Sequence, residues 1–134
     1  MRIPKSVIVA FLIAVAVALP SAAAESGSQK TTDSGVTVTV TPKNLSREAA
    51  TWDFFVVLDT HSQELSDDLL KSSMLLDGAG GRYAPIAWDG AAPGGHHREG
   101  VLRFKTPSLK PQSIELQIKR NSETAPRSFR WPIP

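Results

Sequence analysis

Val36-Thr-Val-Thr-Val-Thr41 and, further along, Thr51-Trp-Asp-Phe-Phe-Val-Val-Leu-Asp59 decide the fold class. The first stretch alternates strictly with period two and uses only β-branched residues, which suit a pleated, half-buried surface. It predicts a strand with Val36, Val38 and Val40 on one face, ended by Pro42. The second is the most apolar stretch after the N-terminal region. Trp52, Phe54, Val56 and Leu58 share one face, and Phe55 and Val57 lie on the other. Apolar residues on both faces predict a central strand.

Outward from these two, the same alternation returns at short intervals. Residues 74–76 predict a third strand. Asp77-Gly78 with Gly80-Gly81 is a hairpin signal. Residues 82–88 give its partner, with Tyr83 and Ile86 as anchors and Pro85 at an edge or bulge. Residues 101–104, 113–119 and 127–133 follow; the last two turn Ile114, Leu116, Ile118 and Phe129, Trp131, Ile133 inward. Between the second and third strands, Ser66 suits an N-cap. Asp67 and Asp68 suit the first helical turn, and Leu65 and Leu70 suit a hydrophobic staple. The sum is an all-β chain: an immunoglobulin-like antiparallel β-sandwich of about seven strands with one short helix. The cysteine pair of antibody domains is missing, so the likeness is one of architecture.

The N-terminal residues predict export. Residues 1–24 read as a signal peptide: Arg2 and Lys5 precede an apolar run over 7–19, Pro20 breaks it, and Ala22-Ala23-Ala24 offers a cleavage site. A spanning helix needs about 20 apolar residues, so the run is short for one. Retention as an N-terminal anchor is the other reading. Residues 25–35 carry no apolar side chain and predict a flexible N-terminal segment. The β-sandwich domain then covers 36–134. The full chain has 15 basic and 13 acidic residues. Arg2 and Lys5 leave with the signal and no acid does, so the remaining acids and bases balance. That excludes nucleic acid as a partner on charge grounds. It leaves an unknown protein partner, a secreted or periplasmic location, and no membrane span after cleavage. With no cysteine, stability rests on the core, and a chain of about 110 residues buries roughly two-thirds of its unfolded surface.

Gly90, Pro93, Gly94, Gly95 and Gly100 punctuate residues 88–100 too densely for a helix or a strand. This loop carries His96 and His97. If successive strands reverse direction, it lies at the end where the second strand finishes, beside Asp59 and His61. Neutral imidazoles and a carboxylate suit zinc, copper(II) or nickel(II), zinc and copper(II) first. The candidate metal site is therefore Asp59, His61, His96 and His97, with Asp89, Arg98 and Glu99 positioned to support the ligands. In the competing reading the histidines only tie two loops together, and Arg98 pairs with Asp59 or Asp89. Asp59, His61 and Ser62 have the composition of a triad, but three residues in one turn do not form the necessary line. Trp52 and Trp131 face the core, whereas Trp88 opens the loop. Arg127 and Arg130 read as solvated strand positions. The chain is thus expected to be a non-enzymatic binding or accessory domain.

The paired segments Leu58-Asp-Thr-His-Ser62 and Pro93-Gly-Gly-His-His-Arg98, the latter followed by Gly100-Val-Leu-Arg-Phe104, carry a resemblance. They resemble a family of small secreted or membrane-tethered prokaryotic proteins that combine an LDTHS-like segment with a GGHHR-like loop. The resemblance spans roughly residues 36–133. It implies that the two segments belong together and brings no catalytic or binding residues with it.

Overall fold

A computed structural model describes residues 27–134. Nine strands form two antiparallel sheets, with one helical turn between them. The strands are β1 (Gln29–Asp33), β2 (Val36–Asn44), β3 (Thr51–Thr60), β4 (Ser73–Leu76), β5 (Arg82–Tyr83), β6 (Ala87–Gly90), β7 (His97–Lys105), β8 (Ser113–Ile118) and β9 (Arg127–Pro132); the helix α1 is Leu69–Ser72. One sheet runs β1-β2-β3-β7-β6 and the other β5-β4-β8-β9. The all-β expectation is met, and this arrangement is compatible with an immunoglobulin-like sandwich. The signal peptide expected over 1–24 lies outside the described residues.

The alternating residues meet between the sheets. Val36, Val38, Val40, Trp52, Phe54, Val56 and Leu58 pack in one core with Leu75, Leu116, Phe129 and Trp131. Phe54 of the first sheet and Trp131 of the second lie 5.4 Å apart, ring centre to ring centre. β3 has neighbours on both sides, as its apolar residues on both faces predicted.

Four expectations need correction. Within the stretch expected to be flexible, Gln29–Asp33 is a strand, paired to β2 from Gln29↔Val40 to Asp33↔Val36. Ser34 and Gly35 join the two with φ of 51° and 76°, the two-residue turn whose twist suits a hairpin. Ladder hydrogen bonds come from the backbone, so low apolarity did not prevent pairing. Residues 82–88 are two strands: the chain leaves β5 after Tyr83, crosses at Pro85 and enters the other sheet at Ala87. Ile86, at the crossing, is 58% exposed; its amide donates to Arg103 O, but its side chain is not a core anchor. The N-cap of α1 is Asp68, which accepts from the Leu70 amide; Leu69 is buried and Leu70 is exposed. Finally, much of 88–100 is strand. β6 and β7 pair through Gly90↔Gly100, leaving only 91–96 as loop.

Glycine is required at that pair. A Cβ on Gly100 would stand 2.6 Å from the Gly90 Cα and 2.8 Å from the Trp88 ring. The density of glycines that suggested an irregular loop here allows two strands and an indole to approach closely.

Candidate functional site

The end of the sandwich where β3 finishes does gather the expected residues, but in different roles. β7 runs antiparallel to β3 with Asp59↔His97, Leu58↔Arg98 and Val57↔Glu99 in register. Side chains alternate across a strand. His97 and Glu99 therefore face out with Asp59, and Arg98 faces in with Leu102 and Phe104.

On the outer face, the Asp59 carboxylate meets His97 Nδ1 at 2.5 Å, and Glu99 lies 3.4 Å from Nε2. The hydrogen bond from His97 to Asp59 raises the imidazole above its ordinary pKa. Partial burial opposes this, and the charges of Asp59 and Glu99 add to it. Both ring nitrogens face carboxylates and neither faces a hydroxyl, so the arrangement lacks a nucleophile–base line. His61 and His96 are exposed. Asp89 sits on β6 opposite Val101, with no hydrogen bond recorded to the other candidates. Among the described residues, no group of three or more His, Asp or Glu side chains is placed to hold a metal ion. No such group joins Asp59, His61, His96 and His97; of the four, Asp59 and His97 are in contact.

On the inner face, Arg98 is 1% exposed. Its Nη1 donates to the Leu65 and Asp67 carbonyls at 3.1 and 2.7 Å, and its Nη2 to the Ala91 carbonyl at 3.2 Å. The Trp88 ring lies 5.8 Å from its Cζ, a cation–π distance. It pairs with neither Asp59 nor Asp89. Burial pulls its pKa down, opposed by the charges of Asp67 and Asp68. Around this guanidinium the two loops also join by backbone: Thr60 N donates to His96 O, Leu65 N to Gly95 O and Gly94 N to Leu65 O. Two segments are tied together here, as one reading of the sequence expected: the His97 imidazole bonds Asp59, and Arg98 and main chain tie the loops beyond them.

A second knot lies beside the first. The buried Asp67 carboxylate accepts from Arg120 Nε at 3.0 Å and from Asn121 N at 3.1 Å. Glu123 accepts from Arg127, whose Nη1 and Nη2 also donate to Val36 O at 2.8 Å and Asp33 O at 3.0 Å. Arg127 is buried and Arg130 exposed, so only Arg130 keeps the solvated position expected of both. Asp67, expected in a helical turn, is the hub of both knots. Sequence reasoning missed Arg120, Glu123 and Arg127. The available signal was strand parity: Arg98 continues the inward series of Leu102 and Phe104, Arg120 that of Leu116 and Ile118, and Arg127 that of Phe129 and Trp131. A buried charge requires partners, and those partners are remote in sequence.

What remains free at this end is a rim. His61, Glu64 and His96 are exposed, and none has a side-chain hydrogen bond or ion pair recorded among the described residues. They project from loops whose backbones are tied: Thr60 Oγ1 accepts from Ser62 N and Gln63 N and donates to Gly35 O. No family model, curated protein or solved structure matches the chain.

Proposed function

We propose that the chain is an exported, non-enzymatic interaction domain whose loop-tied end meets a protein partner. One observation supports this reading above the others: the loops carrying His61, Glu64 and His96 are held rigidly from inside while these three side chains remain uncommitted. A preformed polar surface binds without ordering its loops first, which lowers the entropic cost of association. The Asp59–His97–Glu99 line, with carboxylates at both ring nitrogens, supports a structural histidine over a ligand or a base.

The test combines location with contact. The N-terminus of the cell-associated and exported protein is sequenced, and a photo-crosslinking amino acid is placed at His96 or, as control, at Leu109 in the intact chain in its native cells. A discrete adduct at His96, absent at Leu109 and lost in a His61→Ala/Glu64→Ala variant of unchanged Tm, is expected. An unprocessed cytoplasmic protein, or identical adducts from both positions, overturns the reading. Calorimetry with zinc and copper(II) runs beside it. Saturable binding tighter than about micromolar, lost in His61→Ala/His96→Ala, would replace the protein partner with a metal.

A further inference from the structure

The opposite end of the sandwich holds a cavity of about 690 Å³, the size of a small-molecule site. It opens over the outer face of the second sheet. The registers Leu76↔Arg82, Leu76↔Glu115 and Glu115↔Arg130 place Arg82, Leu76, Glu115 and Arg130 in one cross-strand row, and all four line the cavity. Ser113, Ile114, Trp131, Pro132 and the turn after β4 complete the walls.

The charges along that row are unequal. Arg130 is committed to Glu115, Nη2 to Oε1 at 3.0 Å. Bonds from Ser128 and then Arg130 hold the Glu115 carboxyl below its ordinary pKa against the opposing effect of burial, so it is ionised at neutral pH and satisfies Arg130. Arg82 has no ion pair among the described residues and is exposed at the rim. The cavity therefore combines apolar wall from Leu76 and Pro132 with one uncommitted guanidinium, whose planar fork suits a carboxylate.

The turn wall is preformed. The Asp77 carboxylate accepts from Ala79 N and Gly81 N at 2.8 Å each and from the Tyr83 hydroxyl at 3.0 Å. A Cβ on Gly81 would stand 2.0 Å from the Asp77 Oδ2, so glycine is what lets the turn close on its own carboxylate. Gly78 and Gly80, at φ of 78° and 92°, would meet nothing within 4 Å. The wall is thus bare backbone, with space beside it.

We infer that this cavity is a binding site for a small amphipathic carboxylate, an aromatic or branched aliphatic acid whose body lies on Leu76 and Pro132 and whose anion meets Arg82. This site is independent of the loop-tied end and goes beyond the proposed interaction. Titration of the folded protein with 2-naphthoate and with its neutral amide, followed by amide NMR shifts, tests it. Naphthoate is expected to shift residues 78–82, 113–115, 130 and 131 and to bind about tenfold more tightly than the amide, as one charge-assisted contact implies. Arg82→Gln should remove that preference, and Ser113→Trp, at the cavity wall, should remove binding of both probes; Tm is measured for each. Equal affinities, shifts elsewhere or an unaffected Arg82→Gln variant overturn the proposal. So does a free-carboxylate tetrapeptide that binds these residues, in preference to its amide, while naphthoate does not. If Ser113→Trp fails to fold, Leu76→Phe fills the same cavity from the next strand.

Discussion

The two ends of the sandwich close by opposite means. Where β3 finishes, three arginines turn inward from the ends of their strand series and the interior is filled with guanidinium groups, carboxylates and carbonyls. At the other end a single carboxylate, Asp77, organises one turn, and space remains beside it. The difference teaches what a buried charge does in a small β-protein. Arg98, Arg120 and Arg127 each reach carbonyls or acids from separate parts of the chain, so each joins segments that share no ladder. Asp77 reaches only its own turn, two to six residues away. Arginine ties distant segments together, whereas the aspartate shapes a local one.

The comparison breaks most visibly at Arg127. Arg127→Met removes the main partner of the buried Glu123 and the donors to Val36 O and Asp33 O. Glu123 then keeps only the longer contact with Arg120 Nη1 at 3.8 Å. Breaking a buried pair costs about 3–5 kcal/mol, so chemical denaturation should show the largest loss of stability here. Arg98→Met should cost less, about 2 kcal/mol. Leu65 O keeps its bond from Gly94 N, and Ala91 O keeps the one from Trp88 Nε1, so among the described residues only Asp67 O loses its donor. A measured order with Arg98 above Arg127 would mean that joining the loops matters more than compensating the carboxylate. Gly100→Ala tests the same end through packing. Its Cβ meets backbone that cannot rotate away, and overpacking of this kind costs about 1–3 kcal/mol.

The fold class was legible because period-two alternation sets both the strands and their inward faces. Val36 to Val40, Trp52 to Leu58 and Ile114 to Ile118 face the core as their alternation implied. The convergence of Asp59 with His97 was legible from strand direction alone. Strand β1 was not legible from apolarity, because a Gln-Lys-Thr-Thr-Asp edge strand pairs through its backbone; only the following Ser34-Gly35 marked a hairpin. The inward arginines were hidden by the expectation that charge faces water, although parity placed them with the core residues of their own strands. The cavity had no sequence signal beyond the Asp-Gly-Ala-Gly-Gly turn, because its row of lining residues comes from four strands brought together only by register.

At the turn end, Asp77→Ala should lower Tm by a few degrees and spread amide shifts over residues 78–83. It should leave the loop-tied end as it was, since among the described residues the Asp77 carboxylate bonds only Ala79, Gly81 and Tyr83. The pH dependence has a definite sign. Hydrogen bonds from Ala79, Gly81 and Tyr83 hold the Asp77 carboxyl below its ordinary value, while burial opposes them. Its contribution is present above the unfolded pKa and is lost as pH falls through the lower folded value. Acid should therefore narrow the stability gap between the native chain and Asp77→Ala, while leaving the neutral-pH gap intact.

His97 shows the smallest effect and the opposite sign. Its folded pKa is raised by Asp59, so its contribution is fully present below the unfolded value and disappears as pH rises through the folded one. The pair is half-exposed, and exposed ion pairs contribute little. Urea midpoints of the native chain and His97→Gln should differ at about pH 5.5 and converge at about pH 8.5. A gap that stays constant across that range would assign the role of His97 to neutral hydrogen bonding. A gap that widens with pH would mean that the imidazole is held neutral, against the acidic pair that flanks it. Either departure would change the comparison of the two ends, because Asp59 and Glu99 would no longer be matched by a charge on the outer face of β7. Adding 0.5 M salt separates the charge from the hydrogen bond: screening at a Debye length of roughly 4 Å weakens an exposed ion pair and leaves the arginine knots inside the sandwich largely untouched.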